Sequence, residues 1–131
     1  MSFEIGKTYT RKKIQRTLRG EFVSYLPQSN HEIVAGCFTE KMNPDAPTEI
    51  QVGDAPKVAR KARELARRKG QHIPVFIKPK GLRGANKLWI YRGIYEFAEL
   101  INDPVAIKDA ESKSGRHNEL AYLLRLKQVQ E

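Results

Sequence analysis

The chain has 131 residues, 40% of them apolar and 30% charged, with 24 Lys and Arg against 15 Asp and Glu and a formal net charge of +9. That length fits a single domain over 1–131, and large apolar residues recur in every region, which excludes a disordered chain. The lone cysteine, Cys37, excludes an internal disulfide and a cysteine-based zinc site, and no apolar run approaches the length that spans a bilayer.

Thr10 is placed to cap a short helix over Arg11–Arg19 that Gly20 ends, with Ile14 and Leu18 on one face. Phe22–Leu26 is rich in strand formers and stops at Pro27. Ser29-Asn30-His31 reads as a turn, and Ile33–Phe38 then reads as the second arm of a hairpin. The prolines of Asn43-Pro44-Asp45-Ala46-Pro47 rule out regular structure there. Glu49–Gly53 is a short alternating strand.

The clearest helix runs from about Asp54, a candidate cap, to Lys69, with Pro56 in its first turn and Gly70 at its end. Val58, Ala62 and Leu65 make its apolar stripe. Ile73–Ile77 reads as a buried strand, Pro79–Asn86 as a loop, and Leu88–Tyr95 as a long strand. Pro104–Ser112 suits a short helix, and Leu120–Val129 reads as a final strand or helix, with strand preferred. Strands outnumber helices and connections are short. The expected fold is α+β: a small, strongly bent β-sheet or β-barrel with flanking helices.

No catalytic constellation is visible. His31, His72 and His117 lie far apart in sequence, and Cys37 falls in an apolar run. Asp45, Glu49 and Asp54 cluster, but no further metal ligands accompany them, so neither a metal nor a cofactor is expected. The basic residues are more informative, because a surplus of this size attracts polyanions. One group is Arg11, Lys12, Lys13, Arg16 and Arg19. A second decorates the long helix, where a solvated face explains it equally well. A third is Lys78, Lys80, Arg83, Lys87 and Arg92. Arg11, Lys12, Lys13, Lys78, Lys80, Arg83 and Lys87 are the candidate phosphate contacts. The third group leads into Trp89, Tyr91 and Tyr95, which alternate and so should share one strand face. That face is either a core stripe or a stacking platform for an unstacked base.

Several blocks carry a resemblance. Lys7-Thr8-Tyr9-Thr10-Arg11-Lys12, Ser24-Tyr25-Leu26-Pro27, Ala35-Gly36-Cys37-Phe38, Asn43-Pro44-Asp45-Ala46-Pro47, Val52-Gly53, Ile73–Lys78 and Trp89–Tyr95 occur in that order. Together they resemble a bacterial domain of the PUA-like class, related to SRA and EVE domains and found beside HNH nucleases in restriction proteins that act on modified DNA. The resemblance covers roughly Ile5 to Asp103. It implies a small bent barrel that takes one base out of the duplex and holds it between rings. It also sets Ser24-Tyr25 near the binding cleft, giving a candidate base pocket of Ser24, Tyr25, Asp45, Trp89 and Tyr91. The chain departs from the restriction proteins in carrying no HNH motif, which implies a reader acting alone or beside a separately encoded nuclease or effector. The expectation is a cytoplasmic, non-catalytic DNA-binding module with no membrane role. An RNA-binding module of the same fold and a protein-interaction subunit are the alternatives.

Overall fold

A computed structural model describes residues 3–81 and 88–129. β1 (Thr8–Thr10) runs directly into α1 (Arg11–Leu18). Thr10 caps that helix, its hydroxyl accepting from the Lys13 amide at 3.1 Å. β2 (Gln28–Ser29) and β3 (Glu32–Ile33) form a minimal hairpin, with Asn30 and His31 at positive φ in its turn. β4 (Gly36–Thr39), β5 (Glu49–Gly53), α2 (Pro56–Arg67), β6 (His72–Lys78), β7 (Leu88–Ile101), α3 (Pro104–Ser114) and β8 (Leu120–Gln128) follow.

The result is a mixed α+β fold. Six strands form one sheet in the order β4-β6-β7-β8-β5, with β1 added against the start of β7. Among the described residues, only the β4–β6 pair is parallel. The sheet does not close into a barrel, because its end strands β4 and β5 are not paired. Several backbone groups on their free edges bond to other groups. The Cys37 amide donates to Tyr25 O at 2.8 Å, and the Gln51 amide donates to Asn43 Oδ1 at 2.8 Å. The Arg116 guanidinium donates to Gln51 O at 3.1 Å. Each such bond removes one backbone group from further strand pairing.

Two hydrophobic clusters cover opposite faces. Phe38, Val52, Val75, Tyr95 and Leu124 pack with Ala62 and Leu65 of α2. Phe3, Ala35, Cys37, Phe76 and Tyr91 pack with Ile14 of α1. Alternation along β4 and β6 sends Cys37 and Phe76 to one side and Phe38 and Val75 to the other. Strand β7 is bulged twice. Val75 faces Gly93 and Phe76 faces Tyr91, so Arg92 is an extra residue; a second irregularity falls between Phe97 and Glu99. Gly93 sits at φ +109°, a conformation that L side chains rarely adopt.

Three local expectations change. Phe22–Leu26 is not a strand: Val23 is 88% exposed. Arg11 holds the segment in a turn by donating to Glu21 O at 3.2 Å and Ser24 O at 2.7 Å. The expected second hairpin arm divides into β3 and β4, and β4 joins the main sheet parallel to β6. Asp54 does not cap α2; the cap position is Ala55, which makes no side-chain bond.

A cationic cleft at the open side of the sheet

Both unpaired end strands, β4 and β5, open onto one cleft of about 1320 Å³. Cys37, Phe38 and Thr39 of β4 line it, as do Gln51 and Gly53 of β5. Asn43 ties the two ends together: its amide nitrogen donates to Thr39 O at 3.0 Å while its oxygen accepts from the Gln51 amide. The N-terminal ends of two helices reach the same space, α1 through Thr10, Arg11 and Lys12 and α2 through Lys57 and Val58.

The charge is lopsided. Arg11, Lys12, Lys57, Arg60, Lys61, Lys78 and Arg116 line the cleft against the carboxylates Glu21, Asp54 and Glu119. Glu21 is occupied: it pairs with Lys61 at 2.7 Å and accepts from the Gln28 amide at 2.5 Å. Burial disfavours its ionised form, but these bonds outweigh burial and leave its pKa lowered. Lys61 also donates to Ser24 Oγ at 2.7 Å and Leu26 O at 3.1 Å, so one ammonium anchors the whole 21–26 turn to α2. The Tyr25 hydroxyl donates to Val58 O at 2.5 Å, a second anchor, and burial raises its pKa. Phe22, Val23 and Met42 bring exposed apolar surface to the lining.

Arg11 is 9% exposed and lies across Trp89, its guanidinium carbon 5.9 Å from the ring centroid. Arg116 follows the C-terminal turn of α3. Besides Gln51 O it donates to Met42 O at 3.4 Å, and the missing side chain at Gly53 leaves room for it: a Cβ there would stand 3.2 Å from Nη2. Burial lowers its pKa, with Glu119 opposing. Buried polar atoms normally have partners. Arg11 Nη1, Thr39 Oγ1 and Arg116 Nε have no hydrogen-bond partner among the described residues, and all three belong to cleft-lining side chains; Arg116 Nε lies 4.0 Å from Glu119. Gln71 Oε1, which lies outside the cleft, shares that condition.

Of the expected base-pocket residues, Ser24, Tyr25 and Trp89 line the cleft. Tyr91 does not: it is 4% exposed and packs against Phe3 and Phe76. Asp45 is exposed away from the cleft and pairs with Lys113 at 3.2 Å. Of the expected phosphate contacts, Arg11, Lys12 and Lys78 line the cleft, whereas Lys13 and Lys80 are exposed outside it. Arg83 and Lys87 lie outside the described residues. The carboxylates do not converge, since Glu49 is engaged by Arg125 at 3.2 Å. No group of His, Cys, Asp or Glu that could hold a metal occurs among the described residues. Cys37 is buried, and burial pushes its thiol up to about 12.

Sequence reasoning missed Thr39, Asn43, Gln51 and Arg116. They come from separate segments, and only Asn43 lies in a block with a recognisable pattern. It also left the α2 charges unresolved, and the structure divides them. Lys57, Arg60 and Lys61 face the cleft, while Arg67 pairs with Glu64 and Arg68 with Glu32. No family model matches the chain, and no curated protein or solved structure matches it significantly.

Proposed function

We propose that this chain is a non-catalytic nucleic-acid-binding module that draws a DNA strand into the cleft and holds one unstacked base there. The observation carrying this reading is the cleft itself: seven cationic side chains against three carboxylates, with an indole among them. Phosphates neutralised by Lys and Arg release condensed counterions, and a base stacked on an aromatic ring gains about 1–3 kcal/mol. The buried, unpartnered nitrogen of Arg11 supplies hydrogen-bonding capacity beside that ring.

The resemblance to PUA-like readers of modified DNA supports the same reading, with Ser24, Tyr25 and Trp89 as the pocket and a separately encoded effector as partner. The non-catalytic part rests on the chemistry of the reactive groups. Cys37 is held as the thiol, and Asp45 and Glu49 are each paired with a different cation.

The test is a titration followed through Trp89, the sole tryptophan. Duplex DNA, modified duplex, single-stranded DNA and structured RNA are compared at several salt concentrations. If about four phosphates are neutralised, log K against log salt should fall with a slope near −3 to −4. A flat salt response, or no binding at low salt, overturns the reading. Tighter binding to RNA at every salt concentration transfers it to RNA.

A further inference from the structure

Three adjacent strands place one residue each in a row at the cleft. Thr39 of β4 is in register with Lys78 of β6. Lys78 follows Ile77, whose partner on β7 is Ile90, so Trp89 falls opposite Lys78. Residues opposite one another in a ladder share a face of the sheet. Cys37, two residues before Thr39, belongs to the cluster that Trp89 packs against, which puts the row on the α1 side. Arg11, the first residue of α1, covers it. Its Nη2 is occupied by Glu21 O and Ser24 O, which fixes the plane of the fork and leaves Nη1 without a partner among the described residues.

The chemistry of this row is one-sided. A guanidinium and an ammonium only donate, and the Thr39 hydroxyl does either. The side-chain acceptors nearby already have donors: Glu21 has Lys61 and the Gln28 amide, Asn43 Oδ1 the Gln51 amide, and Gln51 Oε1 the Ser114 hydroxyl. Asp54 and Glu119 belong to the β5 end of the cleft. An amino group brought to the row faces other donors, and a buried N–H without an acceptor is costly. A carbonyl edge is matched, and an Arg fork on guanine O6 and N7 is the strongest such pairing.

Resting on the nucleic-acid reading of the cleft, we infer that the row Thr39–Lys78–Trp89, covered by Arg11, selects keto bases. Guanine, thymine or uracil lies against the exposed part of Trp89, beside Arg11, with its carbonyl edge toward Arg11 and Thr39, in preference to adenine or cytosine. Rejection of the amino bases comes from the surplus of donors, not from the shape of the pocket.

The probe is a set of single strands of about six nucleotides, abasic except for one central thymine, guanine, adenine or cytosine, with a fully abasic strand alongside. Dissociation constants and Trp89 quenching are read at one fixed salt concentration. Thymine and guanine strands should bind roughly tenfold tighter than adenine and cytosine strands and quench the indole. Thr39→Val, which removes the hydroxyl at nearly constant volume, should narrow that ratio severalfold and leave the salt slope unchanged. Arg11→Lys should abolish the ratio; if that variant melts early, Thr39→Val decides. Equal binding of the four bases, or preference for the amino bases, overturns the inference while leaving the nucleic-acid reading intact. A fully abasic strand that binds as tightly as the thymine strand also overturns it, because the acceptor recognised is then backbone phosphate. No binding of any strand at low salt overturns the nucleic-acid reading itself.

Discussion

Two aromatic side chains two positions apart on one strand do different work. Trp89 packs partly on the α1 cluster and reaches the cleft, whereas Tyr91 is enclosed by Phe3 and Phe76, with ring centroids 5.7 and 5.2 Å away. Tyr91→Ala should therefore cost about 3–5 kcal/mol of stability, like other large core truncations, and the folded fraction should bind normally. Trp89→Ala should lose the stacking contribution while melting changes much less. Thermal melts and affinities measured on each variant separate the two roles. Alternation was legible in the sequence, but it also placed Tyr95 on the same face. The extra residue Arg92, accommodated by Gly93 at φ +109°, turns Tyr95 into the α2 cluster instead. No composition rule marks that bulge. Glu21 provides a second test at this scale. Its folded pKa is lowered, so its contribution is present above the ordinary carboxylate range and is lost as pH falls through the folded value. Acidification from pH ~5 to pH ~3 should loosen the 21–26 turn, read as faster amide exchange there, and Glu21→Gln should remove that pH dependence.

Elements with strong local signals were readable in advance: the Thr10 cap, the α2 stripe with Pro56 at its start and the buried β6, whereas the segment that forms β8 read as strand or helix. The hairpin expected over 22–38 was not, because the partner of β4 is β6, which lies 39 residues further on and is parallel to it. Nor does a sequence show which turn of a basic helix meets a cleft. In α2 the first two turns carry Lys57, Arg60 and Lys61 into the lining, and only the last turn pairs its charges along the helix or with the β2–β3 hairpin. Changing Lys57 and Arg60 together to Gln should reduce the salt slope by about 2. The same change at Arg67 and Lys69 should leave it unaltered. If both pairs flatten the slope equally, the net charge of the chain rather than the cleft is responsible.

At the scale of the molecule, the open sheet and the cleft are one feature, since the space between the unpaired ends β4 and β5 is where Thr39, Asn43, Gln51 and Arg116 meet. The strand order also has a kinetic consequence. The β6–β7–β8 pairings join strands that follow one another in the chain, but Thr8 pairs with Ile90 and Glu49 with Arg125, contacts separated by roughly 80 residues. Closing such long loops is entropically slow, and chains dominated by distant pairings fold in about milliseconds to seconds. Trp89 sits opposite Tyr9 at the most distant of these closures. In a stopped-flow refolding experiment, recovery of its fluorescence should trail the far-UV circular dichroism of the central meander. Coincident traces would show all six strands closing in a single step. The same indole would then time the docking of β1 onto β7, and with it the arrival of Arg11 over the row it covers.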